Sequence, residues 1–463
     1  MTIDFTSKAA EIAVAVTDGK LKAAEVTEMA LDRVAASNPH LNAFTSITAE
    51  RARSRAAAID AAVARGDKIG PLAGVPFAVK NLFDIAGLPT LAGSKINRDL
   101  APSAADATLI QRLEAAGAVL LGGLNMGEYA YDFTGENCHY GASRNPHDPE
   151  HMSGGSSGGS GTAVAAGMVP LSLGSDTNGS IRVPSSLCGL FGLKPTFGRL
   201  SRHGSFPFVA SLDHLGPMAR SVTDLALSYD AMQGPDAGDP ACAQRPLEPV
   251  VPKLEGGIDG LRIAIAGGYF AKGGEAYAHA AVAAIAKALG TSRVVEVPEA
   301  GRGRSAAYVI TATEGANLHR QRLRQRPQDF DPDTRDRFIA GSLLPGDWYV
   351  QAQRFRRWYH ARLLELFQEV DILLAPATPC SAPRLGQKMM VLDGVELPVR
   401  ANLGLFTQPI SFAGLPVVAV PYAEAAPLPI GVQVIAAPWR EDLALRVARQ
   451  LEKIGIVSAK VAV

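Results

Sequence analysis

Apolar residues recur at helical spacing over Ala9–Val16 and Ala23–Ala36, and Ala49–Ala64 is rich in Ala and Arg, so three helices are predicted at the start of the chain. The tract PLAGVPFAVKNLFDIAG (Pro71 to Gly87) changes character. Small, apolar and β-branched residues between Gly and Pro suit a buried strand followed by a loop. Ala105–Ala116 reads as a helix, with Asp106 near its start and Gly117 at its end, and Ala118–Leu124 as a short apolar strand. A Gly- and Ser-rich loop is expected over Ser153–Gly161, continued by a helix over Thr162–Met168 and a strand over Val169–Leu173. Further on, strands are predicted at Leu261–Ala266, Arg293–Val297, Asp371–Ala375, Val417–Pro421 and Gly431–Ile435, with helices at Ala276–Leu289 and Glu441–Lys453. Helix alternating with strand is the rhythm of an α/β sheet. Asp236–Pro252, rich in Pro, Gly and Asp, reads as a surface crossing inside one domain rather than a linker. The expected organisation is one domain over residues 1–463, with a mainly helical part at 1–70 packed on the core.

Composition narrows the function classes. Hydrophobic residues make up 47% of the 463 and charged residues 19%, which supports a large core and argues against disorder. The formal net charge is zero, so no global attraction toward nucleic acid or an anionic membrane is expected. Cys138, Cys188, Cys242 and Cys380 form no CxxC pair, which removes support for zinc or dithiol chemistry and suits a reducing compartment. The first residues lack a basic start followed by an apolar stretch, and no segment is long and apolar enough to span a bilayer, so a cytoplasmic location is expected.

The informative segment is HMSGGSSGGSGTAVAAGMVPLSLGSDTNGSIRVPSSLCGLFGLKPTFGRLSR, His151 to Arg202. It holds two serine-bearing glycine loops, Gly154 to Gly159 and Gly174 to Ser180, able to turn several N–H groups toward one point. A serine is a poor nucleophile until a base takes its proton. No histidine lies in either loop, but Lys80 sits in the apolar run AVKN. A lysine buried without a carboxylate partner loses basicity, and the neutral amine is then a general base. The HDPEH run, His147 to His151, lacks helical metal-ligand spacing and is broken by Pro149, so a solvated turn is expected there. The cluster Arg354, Arg356 and Arg357 with Trp358 and Tyr359 reads as a solvated helix face, or next as a subunit interface, and Cys188 as core packing.

GGSSGGS followed by GSDTNGSIRVPSSLCGLFGLKPT, with VPFAVKN before it and SFAGLPVVAVP and PIGVQVIA after it, closely resembles the amidase signature family over nearly the whole chain. The resemblance implies a three-layer α/β/α fold with a mixed central sheet of about a dozen strands. It also implies amide hydrolysis by Ser180 as nucleophile, Ser156 as a serine preceded by a cis peptide bond, and Lys80 as base. The N–H groups of Thr177, Asn178, Gly179 and Ser180 would form the oxyanion hole, and no metal or organic cofactor would be needed. Most of the family has Gly-Gly before the nucleophile, whereas here Asn178-Gly179 stands, offering an amide to a substrate carbonyl or carboxylate.

NLFDIAGLPTLAGSKINR, GENCHYGASRNPHD, SFPFVASLDHLGP, QRPQDFDP, AQRFRRWYH and FTQPISFAGLP resemble the branch that hydrolyses carboxybiuret. That likeness implies conversion of 1-carboxybiuret to urea-1,3-dicarboxylate and ammonia, a small helical partner subunit, and a homodimer or heterotetramer without nucleic acid or membrane. The main alternative is the glutaminase subunit of a tRNA-dependent amidotransferase. Its acidic residue for the glutamine amino group has no counterpart in Ala401–Gly414, where Thr407-Gln408 stands. A generic small-amide amidase is a further alternative, and the intact triad positions disfavour a scaffold that has lost catalysis. Tyr131, Arg182, Arg320 and Gln408 are the candidate substrate-binding residues, with Asp132 also near the pocket.

Overall fold

The structure, a computed structural model, describes residues 4–462. Eleven strands form one sheet: β1 (Phe44–Ile47), β2 (Pro76–Lys80), β3 (Val119–Leu124), β4 (Leu171–Asp176), β5 (Phe191–Lys194), β6 (His214–Ala219), β7 (Ile263–Gly267), β8 (Val294–Glu296), β9 (Ile372–Pro376), β10 (Val417–Tyr422) and β11 (Ile430–Ala436). Their order across the sheet is β1-β3-β2-β4-β6-β5-β10-β11-β9-β7-β8. β2 runs parallel to both β3 and β4, and β9 and β8 both run parallel to β7, while the pairings from β4 through β6, β5, β10 and β11 to β9 are antiparallel. The fold is therefore α/β with a mixed sheet. The helices Gly158–Ala165, Arg182–Leu187, Val222–Met232, Ala276–Ala288 and Glu441–Lys453 pack onto it.

Strands covered on both faces have no polar side to show, so they read as continuous apolar or small runs. Every residue of β2, β3, β4 and β11 is buried. That is why VPFAVK and VLLGGL are visible as strands in the sequence. At the start of the chain, helices Ala9–Thr17, Ala23–Leu41 and Ala49–Ala64 stand where periodicity places them. The first is tied to the core by Asp224, whose carboxylate accepts from the N–H groups of Ala9 and Ala10 at 3.1 and 3.0 Å.

The Gly/Ser-rich run departs from expectation. Its helix begins at Gly158, inside the expected loop, and ends at Ala165. Glycine is a poor helix former in isolation, but here contact decides. A Cβ at Gly159 would lie 2.5 Å from the Ala43 carbonyl oxygen and 2.6 Å from the Asn125 nitrogen. The glycines let this helix press against neighbouring backbone. HDPEH is only partly the expected solvated turn: His147 lies in the turn of a small hairpin, while Asp148–His151 belong to its second strand, Asp148–Met152, opposite Arg144–Asn145, with Pro149 and Glu150 exposed. His147 Nε2 lies 3.1 Å from the Cys188 carbonyl. Of the basic cluster, Arg354 and Arg357 are exposed as expected, but Arg356 is half-buried and its Nε donates to the Phe412 carbonyl at 3.1 Å. Among the described residues no helix is long and apolar enough to cross a membrane.

Candidate active site

Parallel β2 and β4 end side by side, and their C-terminal ends carry the candidate residues, the place where open α/β sheets usually bind ligands. Lys80 is the last residue of β2, and Ser175 and Asp176 end β4. The Gly154–Ser157 loop leads into the Gly158–Ala165 helix, and its Gly155–Ser156 peptide bond is cis. Lys80 is fully buried. Its Nζ lies 2.6 Å from Ser156 Oγ, 2.8 Å from Ser175 Oγ and 3.1 Å from Ser157 Oγ. Hydroxyls solvate an amine without fixing its charge. Burial pushes the Lys80 pKa down to about 7, against the opposing pull of Asp176, Asp213 and Asp132.

The second loop, Thr177 to Ile181, turns from β4 into the Arg182–Leu187 helix. It is tied from three sides. Thr177 Oγ1 donates to Asp213 at 2.6 Å, and Asp213 also accepts from the Phe208 and Val209 N–H groups at 2.9 Å each. Thr407 Oγ1 donates to the Asn178 carbonyl at 2.7 Å. Asn178 Nδ2 donates to Thr311 Oγ1 at 2.9 Å. Gly179 has φ +144°, and a Cβ there would lie 2.1 Å from Thr407 Oγ1, so only glycine fits this approach. Among the described residues, no hydrogen bond takes up the N–H of Thr177, Asn178, Gly179 or Ser180. Nor does any use the Ser180 hydroxyl.

Arg182 and Arg320 are not where the sequence reading put them. Arg182 is wholly buried behind the loop. Its Nε and Nη2 donate to the two Asp176 oxygens at 2.9 Å each, and its Nη1 donates to Gln433 Oε1 at 2.6 Å and the Thr407 carbonyl at 3.1 Å. The same guanidinium donates to Ser411 Oγ. It joins the two ends of the Thr177–Ile181 loop and has no free donor to turn to a ligand. Desolvation alone would raise the Asp176 pKa, but Arg182 overrides it and holds the carboxyl well below the usual range. Arg320 is exposed on the Ala300–Gln325 helix and lines a separate groove with Asn317 and Arg324.

Ser180 borders a small pocket. Tyr131, Asp132 and Gln408 line it as expected, but so do Thr311, Tyr308 and Arg337, which the sequence reading did not single out. Arg337 is the only cation of this lining among the described residues; its guanidinium lies 3.5 Å from the centre of the Tyr131 ring, and Nη1 donates to the Tyr131 carbonyl at 2.6 Å. Gln408 Oε1 accepts from Arg304 Nε at 2.8 Å. Asp132, the one anion of the lining among the described residues, is engaged by Arg400 at 3.0 Å, Thr134 Oγ1 at 2.8 Å and the Gly135 N–H at 2.7 Å. Asp331 caps the Pro332–Ser342 helix, with Pro332 in its first turn, so the local start of the helix bearing Arg337 was readable. Its approach to Tyr131 was not. Among the described residues no three His, Cys, Asp or Glu side chains are grouped to hold a metal ion.

The Amidase family model matches residues 25–445, and the chain belongs to that family of C–N hydrolases. It is 58% identical to the AtzE subunit of 1-carboxybiuret hydrolase from Pseudomonas sp. (strain ADP), over 98% of this chain and 100% of that protein. It is 38% identical to a glutamyl-tRNA(Gln) amidotransferase subunit of Chloroflexus aggregans, over 97% of this chain and 96% of the relative. A solved structure of an s-triazine catabolic enzyme, described with an unexpected vestigial protein complex, superposes with a TM-score of 0.97 at 58% identity, covering 98% and 100% of the two chains. The corresponding glutamyl-tRNA(Gln) amidotransferase subunit from Thermotoga maritima gives a TM-score of 0.83 at 28% identity, covering 98% and 96%.

Proposed function

We propose that this chain hydrolyses a small anionic ureide, 1-carboxybiuret, to urea-1,3-dicarboxylate and ammonia through an acyl-enzyme on Ser180. The observation that carries the reading is the buried Lys80 amine 2.6 Å from Ser156 Oγ, next to a pocket bordered by Ser180 and Arg337. Neutral Lys80 takes the Ser156 proton while Ser156 takes that of Ser180, whose oxygen attacks the terminal carbamoyl carbon. The four free N–H groups from Thr177 to Ser180 receive the negative charge that develops on the carbonyl oxygen. The proton returns along the same path to the leaving nitrogen, ammonia departs, and water attacks the ester by the reverse relay.

Two expected outcomes follow from the charges. Because the base must be the free amine, kcat/KM rises with pH through about 7 and levels above it. The sign is opposite to that of a lysine paired with an acid. The folded-state pKa lies below the unfolded one, so stability also rises as pH climbs from about 7 toward 10.5. A pH–rate profile without an ascending limb near neutrality would remove Lys80 as the base. Arg337→Ala is expected to raise KM for 1-carboxybiuret by about 10–100-fold, the range for losing a hydrogen bond to a charged group. Neutral biuret should be far less affected, which initial rates on both substrates will show.

The glutaminase alternative is disfavoured by Gln408, which stands in the stretch where that activity calls for a carboxylate and is already bonded to Arg304. An ammonia-release panel of 1-carboxybiuret, biuret, malonamate, aryl amides and glutamine tests the reading. Turnover of glutamine alone overturns it. The reading also carries a small helical partner subunit, in keeping with the protein complex described for the 58%-identical structural neighbour.

A further inference from the structure

We infer that Asn178 is a specificity-determining residue whose side-chain carbonyl accepts a hydrogen bond from the ureide N–H flanking the reacting carbonyl. This rests on the ureide reading above and adds the group that separates a ureide from an ordinary carboxamide. Asn178 is 6% exposed and lines the pocket next to Ser180. Its backbone is held by Thr407 and its Nδ2 by Thr311, so the side chain is pinned from two elements distant in sequence. With the NH2 turned to Thr311, Oδ1 is left buried and without a partner among the described residues.

Several other polar side chains of the wall are occupied. Thr177 Oγ1 donates to Asp213, Gln408 Oε1 accepts from Arg304, Tyr308 OH donates to the Ala401 carbonyl at 2.5 Å, and both Asp132 oxygens are bonded. Asn178 Oδ1 is thus the one buried side-chain acceptor of this lining left unmatched among the described residues. Buried acceptors in folded proteins are paired, and an unpaired one at a binding site is explained by a donor that arrives with the ligand. An acceptor takes an N–H. A ureide carries an N–H beside the reacting carbonyl where a malonamate-type amide carries a methylene, so this contact distinguishes the two. Sites that hydrogen-bond a substrate N–H reject the analogue lacking it, because their own polar group is stranded.

The test compares kcat/KM for 1-carboxybiuret and for the isostere with CH2 replacing that N–H, in the wild type, Asn178→Gly and Thr311→Val. The wild type is expected to favour the ureide by roughly 10–100-fold, the cost of leaving one buried acceptor unpaired. Asn178→Gly should bring the two substrates to within a few-fold of each other. Thr311→Val, which removes only the anchor of the amide, should give an intermediate ratio and keeps the test available if the glycine variant does not fold. A ratio unchanged in the variants, with both substrates slowed alike, overturns the assignment and leaves the ureide reading standing. A wild type that does not distinguish the two substrates overturns the ureide reading and this assignment with it.

Discussion

Ser180→Ala is expected to lower kcat for ammonia release by about 10⁴-fold or more, the scale seen when a catalytic serine is removed from a triad. Ser156 cannot replace it, because its hydroxyl is committed to Lys80 at 2.6 Å. The substitution removes an oxygen that makes no hydrogen bond among the described residues, so the melting temperature should change little. A serine-directed organophosphorus reagent should add one adduct mass to the wild type and none to the variant. Residual activity within tenfold of wild type, with no adduct on residue 180 in the parent, would remove Ser180 as the nucleophile.

The second large effect is on stability. Arg182→Ala is expected to cost about 3–5 kcal/mol, because it strands the buried carboxylate of Asp176 and empties contacts to Gln433, Thr407 and Ser411. Activity should fall as well, since Arg182 and Asp176 clamp the two ends of the nucleophile loop. The pH dependence separates charge from lost packing. In the wild type Asp176 stays ionised far into acid, so its contribution persists above the usual carboxylate range and is lost only as pH falls through its lowered pKa. Without Arg182, burial dominates and the carboxyl titrates upward, so the penalty is full at neutral pH and shrinks as pH falls. The gap in denaturation midpoint between the two proteins should therefore narrow from pH 7 toward pH 4. A constant gap would mean that packing alone is at stake. Replacing both charges, as Asp176→Asn with Arg182→Met, should recover part of the loss.

Lys80 and the two serine loops stand out locally, but it is the resemblance to the amidase signature family that singles out Ser156 and Ser180 within those loops as the candidate catalytic serines. Lys80 ends a run too apolar to be solvated, and the two serine loops carry glycines that no ordinary turn requires. The candidate substrate residues were less legible. Arg182 sits two residues from Ser180, yet its side chain turns into the interior because Asp176, six residues back, and Gln433, on a distant strand, offer it better partners than a ligand would. Arg320 lies on the same helix as Thr311 but faces a different groove. β1, β5 and β6 are not predicted, since FTSI and FGLK are only four residues long and HLGPMA interrupts its apolar run with Gly and Pro.

From the chain alone came the α/β class, strands buried on both faces, and the two serine loops with the apolar run that ends at Lys80, because burial periodicity and glycine placement are written over a few consecutive positions; the roles proposed for Lys80, Ser156 and Ser180 came from the family resemblance of those motifs. Folding alone decided that Asn178 meets Thr311 across 133 residues and that Arg337 lies on Tyr131 across 206. It likewise decided that Arg337 lines the pocket while Arg182 is bonded inside, behind the loop. Those outcomes depend on competition among partners far apart in sequence, and a side chain's environment is set by whichever partners the packed elements bring within bonding distance.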